Sequence, residues 1–244
     1  RDAGYTIFYM GINIGAFFAP LLIGFVSEDL FAKTVDGVMT YGYKYGFLIS
    51  AIGMIIGQLL FNLLANKYLG DAGKRPAVST TKESKEKSNA PLTRSEKQRT
   101  WVIIIITCFV VFFWAGFEQA GSSLTLYTKD FVDREVFGWT VPVSWFQSLN
   151  PLFIVLLAPL VSALWVKLAS SKRGDIPVPT KMAMGMITLG LGYIVLLFAI
   201  FKTGNDAASI QQKASIMFIV VTYFLHTMGE LFLSPVGLSL VSRI

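Results

Sequence analysis

Charge is what this sequence lacks most. Only 15% of its 244 residues are Asp, Glu, Lys or Arg, where a soluble domain carries about a quarter. The deficit is filled by apolar residues, 54% of the total, with aromatics at 14% and a mean hydropathy of +0.59. Cysteine is almost absent: Cys108 stands alone inside an apolar run, which excludes a disulfide framework. No nucleophile–base set, metal-ligand cluster or phosphate loop is visible, so an enzyme is not expected and neither is a cofactor. Long runs alternating apolar with polar residues are missing too, and with them the pattern of a membrane β-barrel. Nor is there a signal peptide or lipidation motif. The chain opens at Arg1 without a methionine and stops at Arg243-Ile244, and both ends are expected to be cut edges of a longer protein.

What is present is a set of long apolar runs. Spanning a hydrocarbon core takes roughly 20 helical residues, and six stretches are long enough: about 4–26, 45–65, 101–127, 145–168, 182–201 and 214–241. Lipid offers the backbone no hydrogen-bonding partner, so such runs must be helices. The fold class is therefore an all-α membrane protein with six transmembrane helices. The two longest runs are expected to tilt or to project from the bilayer.

Charge on the connections sets the orientation. The stretch 66–100 holds nine Lys or Arg, and the connection near 167–181 adds Lys167, Lys172, Arg173 and Lys181. With Arg1 and Arg243 that side carries fifteen, against six on the other (Lys33, Lys44, Lys129, Arg134, Lys202 and Lys213). Cytoplasmic loops carry the excess of Lys and Arg, so 66–100 is expected inside and the first helix runs outward. This asymmetry accounts for the net charge of +6 without a nucleic-acid partner. The core of 66–100 is rich in Lys, Glu and Ser, a disorder-prone composition. It divides the chain into 1–65, with two spans, a linker over 66–100, and 101–244, with four. That arrangement suggests a two-lobed transporter.

Polar residues inside the spans are the candidate functional ones, because burying an ionisable group in lipid costs at least a few kcal/mol. Two acids qualify, Glu118 in the third span and Glu230 in the sixth, and no Lys or Arg lies in the interior of a span to neutralise them, Lys167 being the last residue but one of the fourth. Each must face a water-filled cavity, hold a proton, or pair with helices elsewhere. A carboxylate alternating between those settings would take up and release a proton; the competing reading is a carboxyl snorkelling to the interface. Asn13 and Asn150 could fix a polar ligand group or simply bond across helices. Trp114, one turn before Glu118 on the same face, could line an amphipathic cavity or face lipid. His226, one turn before Glu230, could modulate that acid or bond a neighbouring helix. Pro20, Pro151, Pro159 and Pro235 within spans mark kinks or hinges. Gly11 and Gly15 form a GxxxG around Asn13, a signal of close helix approach.

Four of these motifs together resemble a known family. Phe8-Tyr9-Met10-Gly11-Ile12-Asn13-Ile14-Gly15 is similar to the FYxxINxG signature of the proton-dependent oligopeptide transporters, a branch of the major facilitator superfamily. The likeness continues through Phe113-Trp114-Ala115-Gly116-Phe117-Glu118-Gln119, Gln147-Ser148-Leu149-Asn150-Pro151 and Gly229-Glu230-Leu231-Phe232-Leu233-Ser234-Pro235-Val236-Gly237. It implies that the six spans correspond to helices 5 to 10 of a twelve-helix fold, a partial major facilitator superfamily fold, without the two extra helices many bacterial members insert. It also implies proton-coupled symport of di- and tripeptides by alternating access, in a monomer spanning the plasma membrane (a bacterial inner membrane). By the same resemblance Asn13 and Asn150 would bond the peptide near its amino terminus, where Glu230 would hold the amino group. Trp114 would line a side-chain pocket. Glu118 would be the proton-coupling residue, paired with an arginine of the family's first helix, and Glu230 would pair with a lysine of its fourth. Both cations, and the family's ExxER motif, would lie upstream of Arg1. A relative carrying nitrate or another small solute, or a non-transporting membrane fragment, are the alternatives.

Overall fold

The computed structural model of the chain describes residues 2–70, 93–171, 174, 176–204 and 212–243, with side chains described from 9 to 233. Most of the expected linker therefore lies outside the described residues. Helix α1 covers Asp2–Gly24 and continues as a π-helical turn over Phe25–Leu30. Helix α2 covers Tyr43–Tyr68 and α3 Arg94–Phe117. A 3₁₀ turn at Glu118–Gly121 leads into the short α4, Ser123–Phe131. A second 3₁₀ segment, Val143–Ser148, precedes α5 at Leu149–Ala169. Helices α6, Val178–Thr203, and α7, Ile216–Arg243, follow. Among the described residues, six helical segments are long and apolar enough to cross a membrane, and each overlaps one of the six expected spans. The chain is a multi-pass membrane protein.

Among the described residues, strands occur only in the connections. The pair β1 (Lys33–Val35) and β2 (Val38–Thr40) is a hairpin with Val35 opposite Val38, closed by Asp36 at φ 51° and Gly37 at φ 80°. Asp-Gly is the dipeptide that tolerates two successive left-handed residues in a tight hairpin. Short strands β3 (Val132–Asp133), β4 (Glu135–Val136), β5 (Trp139–Thr140) and β6 (Ala214–Ser215) follow. The strands β4 and β5 pair antiparallel, while β3 runs parallel to β6, with Val132 opposite Ala214. Connections expected on one side of the membrane thus meet at one end of the bundle.

Element ends differ from the expected bounds for local reasons. Helix α3 starts at Arg94, seven residues before the apolar run, because Thr93 caps it. Its hydroxyl accepts the Glu96 N–H, and the Glu96 carboxylate accepts the Thr93 N–H at 2.7 Å. Such a reciprocal cap is worth about 1 kcal/mol. Pro151 is expected to mark a kink or hinge within its span. It sits instead in the first turn of α5, where proline's missing N–H has no intrahelical partner to lose. Pro20 is inside α1, which carries on through it to the π-helical turn. The backbone of α7 is helical across Pro235, whose side chain lies outside the described residues.

Close helix contact falls elsewhere than at the expected GxxxG. A Cβ at Gly11 or Gly15 would meet nothing within 4 Å among the described residues. The tight contact is between α6 and α7, where a Cβ at Gly185 would lie 2.8 Å from the Gly229 carbonyl oxygen. At Gly192 it would lie 2.5 Å from the His226 ring. The Thr222 hydroxyl, itself fully buried, also reaches the Gly192 carbonyl oxygen at 3.3 Å. Small residues on facing helices allow this approach, which in lipid stands in for hydrophobic packing.

Helix α1 docks on the later part of the chain along one face. Phe17, Leu21, Gly24 and Glu28 recur at helical spacing and meet the 3₁₀ segment 143–148 in turn. Ser148 donates its hydroxyl to the Phe17 carbonyl at 2.8 Å, and the Trp145 indole donates to that of Leu21 at 3.0 Å. A Cβ at Gly24 would run into the Ser144 hydroxyl. Glu28 accepts the Val143 N–H at 3.1 Å and stands 3.8 Å from the Arg134 guanidinium, both side chains being at most 10% exposed. Arg134 also donates to the Val141 carbonyl at 2.6 Å.

Candidate functional site

The third expected span is not one helix. Helix α3 stops where Phe117 ends, and Glu118 is its C-cap. Gly121, Ser122 and Ser123 follow, residues of low helix propensity. A helix broken inside lipid leaves carbonyls without intrahelical donors, and each must be satisfied within the protein. Side chains do this here. Gln119 donates its amide to the Ala115 carbonyl at 3.1 Å, and the Tyr193 hydroxyl donates to that of Gly116 at 2.6 Å. Thr125 serves the Ala120 carbonyl at 2.8 Å, with Tyr223 reaching the same oxygen at 3.5 Å. The Ser122 and Ser123 hydroxyls turn back to the Gln119 carbonyl oxygen of the side chain at 3.2 and 2.8 Å. The break is built into the sequence.

The break opens a cavity of about 170 Å³ lined by Glu118, Gln147, Asn150, Tyr223 and His226 together with Phe117, Ala120 and Gly121. That volume holds a few waters. Glu118 is exposed to it. On the opposite wall Asn150, in the first turn of α5, donates its amide to Glu230 Oε2 at 2.9 Å and to the Thr227 hydroxyl at 3.1 Å. Thr227 passes its own proton to the Tyr223 carbonyl at 2.8 Å. Glu230 is 8% exposed and His226 1%. The His226 ring packs 4.8 Å from the centre of the Tyr193 ring and 6.5 Å from that of Phe117. Among the described residues no Lys or Arg forms an ion pair with Glu118 or Glu230.

The structure therefore brings together three of the five candidates, Glu118, Asn150 and Glu230. Asn150 makes an interhelical bond, one of the two roles left open for it. Asn13 is buried at 6% exposure, and its amide donates to the Tyr9 carbonyl of its own helix at 2.9 Å, not to Asn150 or Glu230. Trp114 is half-buried in an aromatic group, edge-on to Phe113 and Phe117 at 5.7 and 5.3 Å, one turn from Glu118. Gln147, Thr227, Tyr193 and Tyr223 were missed as site residues. Gln147 was visible only as part of a motif, and the two tyrosines matter through backbone carbonyls that appear when the helix breaks.

Comparison with known proteins is consistent across sequence and structure. A family model described as the POT family matches residues 1–77 and 74–244. The peptide transporter YePEPT of Yersinia enterocolitica is 28% identical over 98% of this chain and 55% of its own length. A di-/tripeptide transporter of Lactococcus lactis subsp. cremoris is 24% identical over all of this chain and 56% of its own. A crystal structure of a mutant of peptide transporter POT in complex with alafosfalin superposes with a TM-score of 0.73 and 32% identity, covering 100% of this chain and 55% of that one. The chain spans about half the length of the curated relatives it matches.

Proposed function

Because the chain belongs to the POT family, within the major facilitator superfamily, we propose that its six spans serve a transporter that carries di- and tripeptides together with protons by alternating access. The observation that supports this best is the polar wall of the cavity: Asn150 bonded to Glu230, facing Glu118 across the helix break. A peptide amino terminus is a cation with donors to spare. It would find a carboxylate in Glu230 and an amide in Asn150, and by the family resemblance Asn13 would bond the peptide near its amino terminus and Trp114 would line a side-chain pocket. Entry of the peptide would redirect the Asn150 amide from Glu230 to the substrate, freeing the carboxylate for the amino group.

Glu118 is assigned the proton. Its place at a helix break gives it water on one side and helix α7 on the other, and a carboxyl moving between such settings changes its proton affinity. Protonation would weaken the pairing with an arginine that the resemblance places on the family's first helix, and so release the outer gate. The proposal includes a plasma-membrane location, a monomer when complete, the end of an N-terminal lobe at 1–65, an incomplete C-terminal lobe at 101–244, and a cytoplasmic linker at 66–100. The Lys and Arg asymmetry supports that orientation. The test is reconstitution of the full-length protein containing this chain into proteoliposomes. Dialanine should accumulate when the pH is lower outside and stop accumulating when a protonophore collapses the gradient. No gradient-dependent accumulation would overturn the proposal.

A further inference from the structure

The helix break at Glu118 is held from outside its own helix. Gly116 is two residues before Glu118, and its carbonyl accepts the Tyr193 hydroxyl from α6 at 2.6 Å. Leu189, one turn earlier on α6, closes the other side: a Cβ at Gly116 would stand 3.1 Å from its methyl. A four-residue 3₁₀ turn advances each residue about 20° more than an α-helix does. The turn at Glu118–Gly121 therefore fixes how α4 is rotated relative to α3, and which way Glu118 faces. We propose that Tyr193 is a positioning residue of the proton site: its hydroxyl, by holding the Gly116 carbonyl, keeps the break open and the Glu118 carboxylate turned into the cavity. This rests on the peptide–proton symport proposed above.

Besides Glu118, the titratable groups lining that cavity are Tyr223 and His226 on α7; Glu230 is bonded to the lining Asn150, and Tyr193 on α6 packs against the His226 ring. The 3₁₀ segment and α5 contribute the uncharged Gln147 and Asn150. Among the described residues no cation faces it. Tyr193 does not touch the Glu118 carboxylate through any described bond, so its effect must pass through the backbone turn.

The test is Tyr193→Phe in the full-length protein, which keeps the ring and removes only the hydroxyl. One neutral hydrogen bond is worth about a fivefold change in an equilibrium. The ratio of gradient-driven dialanine uptake to peptide exchange without a gradient should fall about fivefold, with the pH midpoint of driven uptake displaced. Amide hydrogen exchange over 114–125 should quicken, a readout that needs no transport. Unchanged amide exchange over 114–125 would overturn the proposal. So would faster exchange with an unmoved pH profile. A parent protein that shows no driven uptake would sink the symport proposal instead, and the amide-exchange comparison would still decide whether Tyr193 holds the break.

Discussion

Asn150 and Glu230 meet at 2.9 Å, amide to carboxylate, across α5 and α7. The bond solves a problem set by the sequence, which has an acid on a buried helix face and no cation in the interior of a span. A carboxylate at 8% exposure left without a donor would cost several kcal/mol. One amide hydrogen bond to a charged group recovers about 1.5–3 kcal/mol of that. Asn150→Ala should therefore do two things in the full-length protein. Peptide affinity should drop about tenfold or more, and thermal stability should fall by a few degrees. Titration calorimetry with dialanine and a melting curve check both. Affinity unchanged within twofold would remove Asn150 from the site.

Glu118→Gln is expected to separate coupling from binding. Glutamine keeps the size and a hydrogen-bonding end but cannot exchange a proton, so gradient-driven uptake should be lost while peptide counterflow continues. The ratio of driven uptake to counterflow in proteoliposomes is the measurement. Retention of driven uptake would exclude Glu118 as the proton-coupling residue.

The interface of α6 and α7 makes a prediction of stability alone. A Cβ at Gly185 would press on the backbone carbonyl of Gly229 at 2.8 Å, and backbone on a packed helix cannot yield as a side chain can. Gly185→Ala should destabilise the protein by about 1–3 kcal/mol. A Cβ at Gly190 on the same helix would meet nothing within 4 Å among the described residues, so Gly190→Ala should be neutral or slightly stabilising. Paired melting curves decide it: equal effects at the two positions would mean that the close approach at Gly185 does not exist.

Some of this was legible in the chain before any coordinates. The spans were, because the length of an apolar run is a direct physical requirement of the bilayer. Glu118 and Glu230 stood out because acids inside such runs are costly. The break after Phe117 was less legible. No proline marks it, and the Gly121-Ser122-Ser123 cluster that does mark it resembles the small residues tolerated in any membrane helix. The GxxxG at Gly11 and Gly15 meets no neighbour within 4 Å among the described residues, since spacing shows which residues share a face and not which helix comes to that face. Glu28 was invisible as a site. It falls two residues past the expected end of the first span, and its partners Arg134 and Val143 are more than a hundred residues away.

That last relationship carries a prediction of its own. Glu28 ties the end of α1 to the 3₁₀ segment before α5 by accepting the Val143 N–H at 3.1 Å, with Arg134 alongside at 3.8 Å. Both side chains are shielded from water, so their attraction is weakened less by solvent and salt than a surface pair's. Glu28→Ala removes both contacts and should cost about 2 kcal/mol, seen as a lower melting temperature of the full-length protein. Glu28→Gln keeps an oxygen for the Val143 N–H and loses the charge, so it should cost about half as much. Arg134→Ala leaves the carboxylate shielded beside a single donor and should fall between the two. Adding it to Glu28→Ala should cost little more, because the shared contact is already gone. If the two losses simply add, Glu28 and Arg134 act independently, and Glu28 joins α1 to the later helices through the Val143 N–H alone.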